Sequence, residues 1–201
     1  MTGVSEFLVP VVTGGGAAVI ELDATVERHL DELAAELSTG IVAIDGPSGA
    51  GKSVIADALV SKLAARGTGA VLIRTDDFAT WDNPVAWWPE LEDDILRPFF
   101  RRRDYVYRPR VWRGGVPSAG RPVWVRWEPL LIIEGVSSAR TTIAPRLTRA
   151  LWVDGGTEAQ RLARTVARDG EAEREHLMRW QRFERGWFGV DRTRERCLIL
   201  D

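Results

Sequence analysis

Sulfur and imidazole are scarce in this chain of 201 residues, which has one cysteine, Cys197, and two histidines, His29 and His176. A single cysteine excludes an internal disulfide, and so few thiols and imidazoles leave no zinc cluster. Such a chain suits a reducing compartment, and a cytoplasmic location is expected. Long apolar runs are also missing, so no segment is expected to span a bilayer, and the opening MTGVSEFLVP lacks a signal-peptide layout. Neither sign of charge is in excess, with 27 basic and 29 acidic residues. No global field therefore recruits nucleic acid or a membrane surface. Lysine is rare: Lys52 and Lys62 stand against 25 arginines. In a chain that ordinarily uses arginine, a lysine kept at position 52 is informative.

That lysine closes the most telling segment. A β-branched run (Ile41, Val42, Ile44) leads into Gly46-Pro47-Ser48-Gly49-Ala50-Gly51-Lys52-Ser53, and a helical pattern begins there. Strand, glycine-rich turn and helix start are the context in which a P-loop binds phosphate. The glycines let the backbone turn tightly, so that N–H groups of the stretch from Gly46 through Ser48, Gly49, Ala50 and Gly51 to Val54 approach phosphate oxygens. The helix N-terminus adds its positive dipole end. Lys52 supplies a point charge for the β- and γ-phosphates, and the Ser53 hydroxyl is a ligand for Mg²⁺. The segment predicts binding of a nucleoside triphosphate.

Strands and helices alternate along the rest. An amphipathic helix is expected over 25–38, with Val26, Leu30, Leu33, Ala34 and Leu37 on one face. The P-loop helix is expected to stop at Gly67, and further strands at 70–75, 129–135, 150–154 and 197–200. Helices are expected over 157–168 and 172–187, and two short apolar runs at 7–22 read as a hairpin or an arm. Apolar strands separated by helices argue a doubly wound α/β fold with a parallel sheet covered on both faces. We read residues 1–201 as a single domain, with an N-terminal arm and helix at 1–38. The stretch 76–128, too long for a bare connection, reads as a substrate-binding insertion with helices of its own.

In such a sheet, ligands bind beyond the carboxyl ends of the strands. Asp76 and Asp77, Glu134, and Asp154 fall there. One carboxylate facing the γ-phosphate takes a proton from an attacking hydroxyl, and another holds Mg²⁺. Asp154, followed by Gly155-Gly156, reads as a turn or cap instead. There is no guanine-reading N-K-x-D segment and no S-G-G-Q transporter signature.

Taken in order, GPSGAGKS, TDDF, WDNP, LLIIEG and RLARTVARD resemble the uridine kinase and phosphoribulokinase family of P-loop kinases, over about residues 40–200. The resemblance implies a P-loop NTPase fold with a five-stranded sheet in the order 2-3-1-4-5, and a helical lid with its following helix at 157–187. It implies ATP and Mg²⁺, with Asp76 as catalytic base, Ser53 and Glu134 at the metal, and Arg164 and Arg168 joining Lys52 at the transferred group. For the acceptor it implies Asp82 on ribose hydroxyls and Tyr107 beside a nucleobase. The sequence departs from the family there, because Tyr107-Arg108-Pro109-Arg110-Val111-Trp112 replaces the family's histidine-containing segment. Arg101–Arg103, with Arg108, Arg110 and Arg113, read as a solvated face, with contacts to an anionic acceptor the competing reading.

Six of the nine tryptophans lie between 81 and 127 and read as packing of the insertion, with stacking on a ligand ring the competing reading. Leu177, Trp180, Phe183 and Trp187 read as the core face of the last helix. The reading that results is an ATP-dependent kinase acting on a hydroxyl of a nucleoside-like small molecule. It needs no nucleic acid or membrane partner, and homo-oligomerisation stays open. The alternatives are a kinase of a non-nucleoside alcohol, such as a vitamin or sugar phosphate, and a nucleotide-dependent switch with slow hydrolysis.

Overall fold

The computed structural model describes residues 22–200. The apolar runs at 7–22 therefore lie, except for Leu22, outside the described residues. Five strands form one parallel sheet: β1 (Gly40–Asp45), β2 (Ala70–Arg74), β7 (Leu130–Glu134), β8 (Arg149–Val153) and β9 (Leu198–Leu200). Their order is β2-β7-β1-β8-β9. The expected notation 2-3-1-4-5 differs because four short strands of the insertion intervene in the chain and stand outside this sheet. Numbered among themselves, the five sheet strands run 2-3-1-4-5.

The period of two along each strand divides its side chains between two cores. Val42, Ile44, Leu130, Ile132, Leu151 and Val153 face one core, shared with α1 (Ala24–Glu36) and α2 (Lys52–Ala65). Asp23 caps α1 by accepting the Thr25 N–H at 2.7 Å, and the five apolar residues expected on its inner face are all buried. Ile41, Ile73, Leu131 and Ile133 face the other core. Each such fully buried side chain stabilises the fold by roughly 1.5–3 kcal/mol.

The second core corrects the view of 76–128 as an appendage over the site. Its first half is the cover of the sheet's second face: Phe78, Trp87, Leu91, Ile95, Leu96 and Phe99 are buried against it. A helical stretch carries them, as α3 (Trp88–Leu91), a π-turn at Glu92–Leu96, and α4 (Arg97–Phe100). Pro98 has no N–H to donate, and the wider turn lets the Arg97 N–H reach back to the Glu92 carbonyl. Beyond it lie two antiparallel ribbons. β3 (Tyr105–Tyr107) pairs with β6 (Val123–Val125), and β4 (Arg110–Arg113) pairs with β5 (Val116–Ala119). The β4–β5 hairpin turns at Gly114-Gly115, both with positive φ, as a two-residue turn of matching twist requires.

α5 (Glu158–Asp169) starts with a reciprocal cap between Thr157 and Gln160. A short turn at 171–173 leads into α6 (Arg174–Asp191), which extends past the expected 172–187. Its inner face also differs from expectation. Leu177, Gln181 and Glu184 are buried, while Phe183 is exposed and Trp180 and Trp187 are only partly covered. Among the described residues no helix is long and apolar enough to cross a membrane.

Candidate active site

Strand register brings the site together. Arg74 of β2 and Ile44 of β1 both pair with Glu134 of β7, so the loops after three strands open at one edge. The P-loop leaves β1 there. Gly46, at φ +143°, passes so close to β8 that a Cβ would lie 2.3 Å from the Val153 carbonyl oxygen. Gly49, at φ +74°, is pressed equally by the Arg161 carbonyl of α5, at 2.6 Å from such a Cβ. Only glycine fits at either place. Asp45, fully buried at the end of β1, accepts N–H bonds from Gly46, Ser137 and Ala139 at 2.7, 3.1 and 2.8 Å. It thereby ties the P-loop to the loop after β7. Burial pushes its carboxyl up to about 7 against the pull of those donors and of Lys52.

Lys52 is buried, with Nζ donating to the Pro47 carbonyl at 3.0 Å, curled inside the loop. One residue on, Ser53 Oγ donates to Glu134 Oε2 at 3.2 Å. Glu134 is buried, and burial raises its pKa against Lys52 and Arg74, whose Nε is 3.5 Å away. A hydroxyl and a carboxylate form an all-oxygen pair that fits Mg²⁺, an ion that keeps most of its remaining positions for water and phosphate. No group of three or more aspartate, glutamate, histidine or cysteine side chains that could hold a metal ion occurs among the described residues.

The two aspartates after β2 diverge. Asp76 is exposed and lines a cavity of about 340 Å³. Asp77 turns into the insertion, where it accepts the Tyr107 hydroxyl at 2.8 Å and burial pushes its carboxyl up to about 6. Ser48 of the P-loop and Arg168 of α5 line the same cavity as Asp76. The Arg168 guanidinium grips Asp169 at 2.6 and 2.8 Å, and its pKa is raised by that pair first, with Asp76 and Glu134 adding to it. Arg164 does not reach the cavity. It donates to the Gly49 carbonyl at 2.8 Å and to that of Gly155, bracing the P-loop backbone.

The remaining wall is aromatic. Trp112 and Trp180 stand edge-on to Trp81, at 72° and 81° with centroids 4.9 and 5.6 Å away. The Trp81 indole donates to the Gly115 carbonyl at 2.7 Å, which holds the hairpin tip against the wall. Glu173, at the start of α6, completes the lining, with Oε2 3.1 Å from His176 Nδ1.

Three expected acceptor residues stand elsewhere. Tyr107 is buried, its ring stacked on Phe78 at 5.7 Å and its hydroxyl committed to Asp77, so it flanks no ligand. Asp82 lies on an exposed turn outside the cavity lining, because the preceding Trp81 takes the inward position. Arg110 is paired with Glu90 at 2.9 Å, and its charge is spent there. Asp154 is structural, as expected of a turn residue: it accepts Trp152 Nε1 at 2.5 Å and pairs with Arg194 at 2.8 Å.

Sequence reasoning missed Glu184. From the buried face of α6 its carboxylate accepts the Ser48 N–H at 3.1 Å and the Ser48 hydroxyl. Burial raises its pKa, while Lys52 and the Ser48 donors oppose. The signal was present: Gln181 and Glu184 continue the Leu177 stripe at helical spacing, and a polar pair on a buried stripe needs partners. Glu173 and Trp180 were missed as lining, since nothing local links them to Trp81.

No protein-family model matches this chain, and no curated protein matches it in sequence. Solved structures do. The chain is similar to a possible uridine kinase from Bacillus stearothermophilus, with a TM-score of 0.65 and 16% identity over 88% of this chain and 98% of that one. It is also similar to a candidate fructose transport system kinase from Silicibacter sp. TM1040, with a TM-score of 0.54 and 16% identity over 82% and 95% of the two chains. At this identity the likeness establishes the fold.

Proposed function

We propose that the chain is an ATP-dependent kinase that transfers the γ-phosphoryl group to a hydroxyl of a small, nucleoside-like molecule. One observation carries the reading: a single cavity is lined by a P-loop residue, Ser48, by the strand-end carboxylate Asp76 and by the helix arginine Arg168. A site for phosphate, a base and a cation around one cavity is what phosphoryl transfer needs, since its catalysis is chiefly positioning and charge neutralisation.

In this reading Lys52 leaves the Pro47 carbonyl for the β- and γ-phosphate oxygens, and the P-loop N–H groups hold the rest of the triphosphate. Ser53 and Glu134 would hold Mg²⁺, which would supply positive charge to offset that of the phosphates. Asp76 accepts the proton of the acceptor hydroxyl as that oxygen bonds to the γ-phosphorus. The bond to the β–γ bridging oxygen breaks, and ADP leaves with the electron pair. Arg168 faces the charge on the transferred group. Arg164, rather than touching phosphate, keeps Gly49 in place.

The test is ADP formation from ATP and Mg²⁺ with and without a panel of nucleosides, vitamin-like alcohols and sugars. Acceptor-dependent ADP release is expected. Hydrolysis indifferent to every alcohol would favour a nucleotide switch.

A further inference from the structure

The near balance of charge over the whole chain conceals a separation. Residues 101–127 carry eight arginines and one carboxylate, Asp104, so this stretch stands at +7 within a chain at −2. Asp104 itself accepts the Trp127 N–H at 2.8 Å. Arg110 is paired with Glu90, but Arg101–Arg103, Arg108, Arg113, Arg121 and Arg126 are all exposed and have no ion pair among the described residues. Arginines elsewhere mostly find a carboxylate, as Arg74 does in Asp57 and Arg146 in Glu92.

The same stretch is apolar on its outer side. Of the ten large apolar side chains exposed among the described residues, six fall here: Phe100, Val106, Val111, Val116, Val123 and Trp124. Strand pairing organises them. Tyr105 and Tyr107 of β3 are buried, so alternation turns Val106 outward, directly opposite Trp124 of β6, which is 63% exposed. Arg108 and Arg126 continue the exposed positions of the two strands. In the β4–β5 hairpin Trp112 lines the cavity, while Val111 and the opposed pair Arg113 and Val116 are exposed. Each ribbon therefore buries one face and leaves the other with apolar side chains among unpaired guanidinium groups. Such a face is a liability unless something covers it.

We infer that this outer face docks the protein on an anionic lipid bilayer, with Val106 and Trp124 entering the headgroup boundary and the unpaired arginines meeting lipid phosphates. Charge sets the sign of the partner, and apolar character sets its class. A second copy presenting the same face would bring arginines against arginines. A nucleic-acid strand takes its hold from aromatic rings. Four of the six apolar side chains here are valines, which cannot stack on a base but bury readily among acyl chains. Trp124 suits the boundary, since an indole is apolar in its body and polar at its N–H. Each arginine close to an anionic surface adds roughly fivefold in affinity. The contact is peripheral, because no helix among the described residues is long and apolar enough to cross a membrane. Docking leaves the cavity clear: from the ribbons, Trp112, Gly114 and Gly115 line it, and the outward side chains do not. The inference stands apart from the kinase reading.

Sedimentation of the full chain with vesicles tests this, comparing phosphatidylcholine alone with equal parts of phosphatidylcholine and phosphatidylglycerol. The chain should sediment with the anionic vesicles at low salt, leave them at high salt, and stay in the supernatant with the neutral ones. Trp124→Ala should weaken binding about tenfold. The triple variant Arg103→Gln, Arg108→Gln, Arg126→Gln should weaken it about a hundredfold. These side chains are exposed, so the variants should melt as wild type does. If one melts early, wild type alone decides: lipids brominated on the acyl chain should quench its tryptophan fluorescence in anionic vesicles and not in neutral ones. No binding to anionic vesicles, equal binding to both kinds, or binding that both variants retain overturns the inference. Displacement from the vesicles by oligodeoxythymidylate at equal phosphate concentration also overturns it, and would assign the face to a nucleic acid.

Discussion

The candidate site has two parts, the P-loop with its buried partners and the cavity that Ser48 alone of the P-loop lines, and they are built in different ways. At the phosphate end, eight consecutive residues supply nearly everything, and their partners are buried: Asp45 with three N–H donors, Lys52 on Pro47, Ser53 on Glu134, Ser48 on Glu184. At the acceptor end the lining comes from four separate segments, around residues 76–81, 112–115, 168–173 and 177–180, and most of it is partly exposed. In the proposed function, backbone donors close to buried strand ends cradle the triphosphate, the group common to every turnover. Side chains on a hairpin tip and a helix junction make a wall that a few substitutions re-shape. On the proposed function, the chemistry belongs to the first part and selectivity to the second.

The hardest test of that division is Lys52→Ala. Loss of the ammonium at the phosphates should lower turnover by several orders of magnitude, on the scale of a major electrostatic stabiliser. Stability should fall as well, because Asp45, Glu134 and Glu184 lose the cation that offsets their burial, so turnover is compared on protein shown by denaturant melts to be folded. Near-normal turnover in an acceptor-dependent assay would break the assignment of the phosphate end.

Asp76→Asn sits on the border between the two ends. It should cost about 10²–10⁴ in kcat, the span of a general base, with ATP affinity in calorimetry unchanged. Weakened ATP binding with little loss of kcat would move Asp76 into the phosphate cradle.

Glu184→Gln probes whether α6 belongs to the cradle. The charge-assisted bonds to Ser48 become neutral ones, and the carboxylate leaves the neighbourhood of Lys52. KM for ATP should change by about tenfold with a smaller change in kcat, measured by steady-state kinetics. A change confined to the acceptor KM would place the residue with the other end.

The smallest effect is a matter of pH. Asp77 has its carboxyl raised to about 6 by burial, above its usual 3.8. The folded chain therefore holds this proton more tightly than the unfolded one. The stability it contributes is full below about pH 4 and is lost as pH rises through 6. Asp77→Asn should remove that slope, so wild type should lose of order 1–3 kcal/mol relative to the variant between pH 4 and 7. Denaturant melts at several pH values check it, and turnover should change far less than in Asp76→Asn.

The same division governs how much could be read without coordinates. The strands, the P-loop and the helices were legible because apolar runs, glycines and caps act over short stretches of chain. Ser53, at the start of α2, and Glu134, at the end of β7, are hydrogen-bonded, a pair the resemblance implied. The acceptor residues were not legible. Tyr107 has the same aromatic character whether it faces a ligand or stacks on Phe78, and only the packing of the insertion under the sheet decides. Arg110 has no sequence signal for its partner Glu90, twenty residues away. Trp180 and Trp81 are brought together by the path of α6, which no local pattern encodes.

The central claim is transfer to a hydroxyl with Asp76 as its base, and the fate of the γ-phosphoryl group tests it most directly. The chain would be incubated with ATP radiolabelled on that phosphate, Mg²⁺ and each alcohol of the panel in turn, and the products separated. The account predicts label in the phosphorylated alcohol, little in inorganic phosphate, and loss of the former in Asp76→Asn with ATP still bound. Label appearing as inorganic phosphate at the same rate with and without the alcohol, in both proteins, would contradict it.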